Sequence, residues 1–186
     1  KKYCPIIDTL AVDEYVHAAG SVVAPYANKY PRTKVSKKDR DTLAKYKKAK
    51  HYSKALALLN KLVEEFPDDH TVVKERGNLH SDMENHSDAI IDYKAAIKLF
   101  PESPTAYYNL ANALRALGKY EKAIYNYTRA IVIEPSDPFF YGNRAIAYAK
   151  SGNIKLACSD IHKSIDLGSK NEVTIRLAKT ECKKYK

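Results

Sequence analysis

The sequence predicts an all-α protein in which helix–turn–helix repeats stack into a solenoid. Three prolines, Pro67, Pro101 and Pro135, follow one another at intervals of 34 residues. Alanine recurs at the same interval, at Ala55, Ala89, Ala123 and Ala157. A fixed period of this length is typical of stacked repeats, because one such unit cannot bury its own hydrophobic face.

The first helix of a unit is predicted most clearly in the middle of the chain. Apolar residues spaced three, one and three positions apart form one helical stripe there: Tyr107, Leu110, Ala111 and Leu114. Ser103 precedes Pro104, which is the order of an N-cap and a first-turn proline. Asp137 and Pro138 repeat that order, and Gly118 stands where the helix should end.

The second helix of each unit is indicated by two columns of bulky residues at the same period. The columns are Tyr52, His86, Tyr120 and Ile154, and Leu59, Tyr93, Tyr127 and Ile161. Small alanine in the column between them lets two helices approach closely while the rings fill the space beside it. The predicted units are 36–69, 70–103, 104–137 and 138–171. The first unit is degenerate, because Asp39 and Thr42 replace apolar residues of its first helix.

The two ends of the chain depart from the repeat. Residues 1–35 do not match it, although Asp8 to Ala19 reads as a helix and Val22 to Tyr30 as a shorter one. We expect this segment to cap the array, the alternative being an independent arm. Residues 172–186 are predicted to form a C-terminal capping helix, because apolar residues at helical spacing are followed by a lysine-rich tail.

The period and its residues resemble the tetratricopeptide repeat (TPR), a helix–turn–helix unit. The best match is the stretch at 104–123, PTAYYNLANALRALGKYEKA, and the resemblance extends over 36–171. It implies a right-handed superhelix whose first helices line a concave surface. Repeat proteins use such a surface for binding, so we expect the functional residues of this chain to lie there.

Composition narrows the classes of protein and partner. Hydrophobic residues make up 45% and charged residues 29%, and no apolar run approaches the roughly 18 residues of a membrane span. The net charge of +10 favours an acidic partner. The three cysteines are odd in number and lack a CxxC pair, so the sequence predicts neither a disulfide framework nor a zinc site. A reducing, cytoplasmic location is the expectation that follows.

No catalytic signature is present, and we predict a non-enzymatic protein without a metal or cofactor. GxGxxG, P-loop, HExxH and GxSxG motifs are all missing from the sequence. His80 and His86 flank a turn rich in carboxylates, but both occupy repeat columns filled elsewhere by packing residues. Cys158 and Cys182 fall in predicted helices and are interpreted as core thiols.

Asparagines form two columns on the predicted concave face. Asn78 and Asn112 lie 34 residues apart, and so do Asn109 and Asn143. An amide side chain donates and accepts hydrogen bonds, so a row of them can hold an extended backbone without reading its sequence. Helix interiors disfavour asparagine, which supports a binding role over chance.

Other side chains on this face complete the predicted site. Tyr108 and Phe139 are expected to anchor apolar groups of the ligand. Lys74, Arg115 and Lys150 are expected to attract acidic side chains or a terminal carboxylate. The sequence therefore favours a scaffold or adaptor that binds an extended, acidic peptide segment of a protein partner.

A second resemblance is partial. The segment 73–78, VKERGN, is similar to the first-helix motif of TPR domains that bind the acidic tails of heat-shock chaperones. Lys74, Asn78 and Asn109 match three positions of that clamp, but Phe139 and Asn143 stand where it needs Lys and Arg. In the other register, 141–145 (YGNRA) matches and Tyr108 fills the first Lys position. A co-chaperone is therefore a less favoured alternative.

Two further classes of function stay open at the sequence level. The first is a structural scaffold that assembles with copies of itself. The second is nucleic-acid binding, suggested by a dense run of lysines at Lys45, Lys47, Lys48, Lys50 and Lys54. Such runs are more often solvated helix faces, so nucleic acid is the less favoured partner.

Overall fold

The computed structural model describes residues 33–170, 172–180 and 182. Within these ranges the chain forms nine helices, each packed against the helix that precedes and follows it. They are α1 (Lys37–Lys48), α2 (Tyr52–Glu65), α3 (His70–Asp82), α4 (His86–Leu99), α5 (Pro104–Ala116), α6 (Tyr120–Ile133), α7 (Pro138–Lys150), α8 (Ile154–Asp166) and α9 (Glu172–Lys179). The prediction of an all-α helical solenoid is confirmed.

Local signals place the helix ends. Ser103 caps α5 by accepting a hydrogen bond from the backbone N–H of Ala106, and Pro104 begins that helix. Asp137 caps α7 by accepting from the N–H of Phe139. Gly118 has a φ of +70°, the left-handed conformation that glycine adopts at low cost after a helix. The capping and turn predictions are therefore confirmed at these positions.

The predicted column of alanines is buried in the core of the helix stack. Their exposed fractions are 0% for Ala55, Ala89 and Ala123, and 3% for Ala157. Tyr93 and Tyr127, from a neighbouring column, are also buried, at 2% and 0%. The core therefore alternates small and large side chains along the stack, which is how a row of hairpins reaches a dense interior.

The first described hairpin is the most weakly packed. No residue of α1 is buried, which fits the polar residues found at its packing positions. Val35 precedes α1 and is buried in a cluster with Leu59 and Val72. The helices predicted within residues 8–19 and 22–30 lie outside the described residues.

The cysteine prediction was wrong for two of the three residues. Cys158 of α8 and Cys182, beyond α9, form a disulfide with a Cα–Cα distance of 5.2 Å. Both are 1% exposed, in a cluster with Ala145, Ile161 and Ala178. Their burial was expected, but their pairing was not. The two cysteines are 24 residues apart in sequence and meet because α9 folds back on α8. The disulfide also removes the cysteine argument for a reducing, cytoplasmic compartment.

Candidate peptide-binding face

The first helices α3, α5 and α7 contact one another in succession. We call the surface formed by their outward side chains the first-helix face. All nine predicted binding residues belong to these three helices. Their placement differs, because other side chains engage both amide atoms of Asn78, whereas, among the described residues, Asn109, Asn112 and Asn143 each keep one amide atom free.

Asn78 is tied into the protein on both sides. Its Oδ1 accepts hydrogen bonds from the hydroxyl of Tyr93, at 3.0 Å, and from Nδ2 of Asn109, at 2.8 Å. Its Nδ2 donates to Glu75 at 3.1 Å. The two predicted columns of asparagine therefore meet here. Asn78 positions Asn109, whose own Oδ1 accepts no hydrogen bond from the described residues.

Asn112 repeats half of this arrangement one unit later. Its Oδ1 accepts from the hydroxyl of Tyr127, and Nε of Arg115 donates to the same hydroxyl at 3.2 Å. Within the described ranges, Nδ2 of Asn112 makes no hydrogen bond. Arg115 is thus held beside Asn112, and one amide donor stays available between them.

Asn143 is linked to Tyr108 across the boundary between two units. Its Nδ2 donates to the Tyr108 hydroxyl at 2.9 Å and to the carbonyl of Phe139 at 3.0 Å. The Tyr108 ring packs 5.1 Å from that of Phe140, between centroids. Phe139 is 63% exposed and Ile146, two turns along α7, is 38% exposed. This end of the face thus presents apolar surface beside an amide.

The cationic side chains are spread along the face. Lys74 donates to the hydroxyl of Thr105 at 3.2 Å, which holds its ammonium beside the start of α5. Lys47 of α1 pairs with Glu75 at 3.0 Å. Lys150 is exposed at the end of α7. The structure brings Lys74 near the Asn78–Asn109 pair, whereas Lys150 lies at the opposite end of its helix from Phe139.

Two buried tyrosines, Tyr93 and Tyr127, support the asparagines, although their repeat column predicts only a packing role. Burial raises the pKa of Tyr127 to about 12, although a hydrogen bond and the charge of Arg115 lower it. Burial also raises the pKa of Tyr93 well above its usual range. Both hydroxyls therefore remain protonated donors at neutral pH. The signal for this role was the constant spacing between Asn78 and Tyr93 and between Asn112 and Tyr127.

The histidine-containing turn between α3 and α4 shows packing rather than a grouped set of ligands. His80 lies 3.9 Å from Asp92 and is mostly buried, as a packing residue would be. Over residues 33–170, 172–180 and 182, no three His, Cys, Asp or Glu side chains are grouped to hold a metal ion. None of the helices in these ranges is long and apolar enough to cross a membrane.

Family models match most of the repeat array. Tetratricopeptide repeat models match residues 43–69, 75–103 and 92–125, and a model described as a TPR repeat matches 111–152. No curated protein matches the chain's sequence at a significant level.

Solved structures with the same fold are numerous. MamA is 22% identical, with a TM-score of 0.65 over 68% of this chain and 74% of that one. The Arabidopsis OM64 TPR domain is 27% identical, with a TM-score of 0.59 over 63% and 96%. The first TPR of Spaghetti (RPAP3), bound to the HSP90 peptide SRMEEVD, is 23% identical, with a TM-score of 0.58 over 59% and 87%. With its repeated helical hairpins and these matches, the chain belongs to the tetratricopeptide repeat proteins.

Proposed function

We propose that this protein is a non-catalytic scaffold that binds an extended, acidic segment of a partner protein on its first-helix face. One observation carries the proposal: three amide groups on the neighbouring helices α5 and α7 are oriented by the protein, and within the described ranges each keeps one free hydrogen-bonding atom. These atoms are Oδ1 of Asn109, Nδ2 of Asn112 and Oδ1 of Asn143. Donors and acceptors alternate in this row, as a peptide backbone requires.

Charge supports an acidic ligand. The chain carries a net charge of +10, and Lys74, Arg115 and Lys150 lie on the first-helix face. None of the three forms an ion pair with another described residue, so each can receive a carboxylate. The Spaghetti (RPAP3) TPR, which shares this fold, was solved with the acidic peptide SRMEEVD. That peptide is therefore a suitable first probe.

Apolar surface supports a second kind of contact. Phe139 and Ile146 project from one side of α7, with exposed fractions of 63% and 38%. Tyr108 lies beside them, held by Asn143. We expect the ligand to place an apolar side chain here while its backbone pairs with the asparagines. The chaperone-tail clamp stays a narrower version of the proposal, because Phe139 and Asn143 replace its basic pair.

Calorimetry with the peptide SRMEEVD at low and high salt tests the proposal. Asn143→Ala should weaken binding by about 1–3 kcal/mol at both salt concentrations, because a peptide amide loses its partner in a partly dehydrated site. Arg115→Ala should cost more at low salt than at high salt, because exposed charges are screened over about 10 Å at 0.1 M. An amidated peptide in which both Glu are replaced by Gln and Asp by Asn should not show this larger cost at low salt.

Matched controls separate binding from general damage. Asn153→Ala removes an exposed asparagine from the α7–α8 turn, and Lys155→Ala removes an exposed cation from α8. Both should bind the peptide like the unaltered protein. If Asn143→Ala and Arg115→Ala also bind unchanged, the first-helix face is not the site. Light scattering over a concentration series would then test self-assembly, the alternative function.

A further inference from the structure

An arginine that bridges three helices occurs twice in the array. The equivalent position in the unit between them lacks this bridge. Arg76 of α3 donates two hydrogen bonds to Asp92 of α4, at 2.9 and 2.7 Å, and a third to Asn60 of α2. Its guanidinium thus spans the groove between α2 and α4. Asp92 is 2% exposed, so the pair fills the groove from within.

The same bridge recurs two units later. Arg144 of α7 donates to both oxygens of Asp160 in α8, at 2.7 and 2.8 Å, and to Thr128 of α6 at 2.9 Å. These three residues occupy the repeat positions of Arg76, Asp92 and Asn60, each 68 residues further along. Arg144 therefore fills the groove between α6 and α8.

The intermediate groove, between α4 and α6, has no bridge. The residues at the equivalent repeat positions are Lys94, Leu110 and Asn126. Leu110 and Asn126 replace the arginine and the aspartate and are uncharged, so they cannot form the ion pair. Asn126 instead turns its Nδ2 to the carbonyl of Lys122, at 2.8 Å. A cavity of about 550 Å³ opens here, lined by all three equivalent residues. The missing guanidinium thus leaves space that its two counterparts occupy elsewhere.

The lining of this cavity has an apolar interior and a basic rim. We call it the α4–α6 groove. Ile90, Ile97, Tyr107, Leu110, Leu114 and Tyr125 supply its apolar surface. Lys94, Lys119 and Lys122 lie at the rim and are exposed, and Glu121 is the opposing charge among the lining residues. Small-molecule sites have this composition, and roughly 300–1,000 Å³ is their usual volume.

We propose that the α4–α6 groove binds a small amphipathic carboxylate, with an apolar chain or ring in the cavity and its carboxylate at the lysines of the rim. The net positive charge of the rim selects an anion over a cation or a neutral compound. The apolar interior requires a hydrophobic body rather than an inorganic anion. This site shares no residue with the proposed peptide-binding residues.

The first test uses decanoate as the probe and decylamine and 1-decanol as matched ligands of the same chain length. Titration calorimetry should show saturable binding of decanoate, with decylamine bound at least tenfold more weakly. In ¹³C-methyl spectra, decanoate should shift the resonances of Ile90, Ile97 and Leu110. Absence of saturable binding, or equal binding of decylamine, would overturn the proposal.

The second test rebuilds the missing bridge. The double substitution Leu110→Arg with Asn126→Asp introduces into the α4–α6 groove the arginine–aspartate pair that fills the other two grooves. This variant should not bind decanoate. Lys94→Gln with Lys122→Gln alters only exposed rim positions and should weaken it at least tenfold. Lys155→Gln with Lys163→Gln removes the same charge from α8 and should leave affinity within twofold.

The outcomes remain decisive if the rebuilt groove does not fold. Circular dichroism would reveal that failure, and the rim variant would then decide, since its positions are exposed. Undiminished decanoate binding by the rim variant, or by a folded bridge variant, would exclude this groove. Binding of the peptide SRMEEVD should be the same in all these variants, which keeps the two proposed sites separable.

Discussion

At the scale of single residues, the asparagines of the first-helix face divide into structural and available groups. Asn78 uses its oxygen for Tyr93 and Asn109, and its nitrogen for Glu75. Asn143 holds Tyr108 but keeps its oxygen free. These two asparagines belong to different columns of the repeat and have different roles, because each meets a different set of side chains.

Asn78→Ala should lower the free energy of unfolding by about 1–3 kcal/mol, because the hydroxyl of Tyr93 loses its hydrogen-bond acceptor. Tyr93 is only 2% exposed, so water cannot easily replace that acceptor. Urea unfolding measures the loss. In a Tyr93→Phe background the same substitution should cost much less, since no buried hydroxyl remains to be satisfied. An equal cost in both backgrounds would mean that the Tyr93–Asn78 bond does not stabilise the fold.

At the scale of helices, the buried ion pair of one unit is replaced by two uncharged residues in the unit before it. Arg144 and Asp160 join α7 to α8, whereas Leu110 and Asn126 occupy the equivalent positions in α5 and α6. A buried pair stabilises weakly compared with an apolar replacement, but a lone buried charge is costly. The unit 104–137 therefore indicates that leucine and asparagine together can replace the arginine–aspartate pair in this fold.

Arg144→Leu alone should destabilise the protein by about 3–5 kcal/mol, because Asp160 is 6% exposed and would lose its partner. Arg144→Leu with Asp160→Asn copies the middle unit and should recover most of that loss. Denaturant unfolding of both variants, beside the unaltered protein, gives the comparison. A double variant as unstable as the single one would show that the surroundings of α7 and α8 require the ion pair itself.

The disulfide also acts between helices, because it joins α8 to the segment after α9. Cys182→Ser, or reduction, should lower the unfolding free energy by about 3.5 kcal/mol, the loop-entropy value for a closure of this length. The sequence separation is 24 residues. Hydrogen exchange should show the earliest loss of protection in α9, which packs mainly on α8. Uniform loss of protection over all helices would contradict this local role.

At the scale of the whole molecule, buried tyrosines set an alkaline limit to stability. Burial raises the pKa of Tyr127 to about 12, so the folded state keeps a proton that the unfolded state loses near pH 10. This contribution is fully present below pH 10 and is lost as the pH rises toward 12.

The Tyr127 contribution should fall by about 1 kcal/mol between pH 9 and pH 11. Denaturant unfolding at the two pH values measures the change, and absorbance near 295 nm reports tyrosine ionisation. Tyr127→Phe should be less stable at pH 9, because Asn112 and Arg115 lose a partner, but should lose less stability on the way to pH 11. Identical pH slopes in the two proteins would mean that Tyr127 ionises normally.

Much of the fold is determined by the sequence alone. The 34-residue period, the alanine columns and the caps at Ser103 and Asp137 are local or periodic signals, so each can be read without knowing the tertiary structure. They suffice for the all-α solenoid and for the helix on which each predicted binding residue lies. The order of the helices then follows from short turns between neighbours.

Only the tertiary structure decided which groups are paired and which are available. The Tyr93–Asn78 bond, the Arg144–Asp160 pair and the Cys158–Cys182 disulfide each join two separate segments of the chain over separations of 15, 16 and 24 residues. Helical periodicity specifies the face on which a side chain lies, but not the atom it meets on the neighbouring helix. That choice depends on interhelix packing, which reflects many side chains at once and not one local pattern.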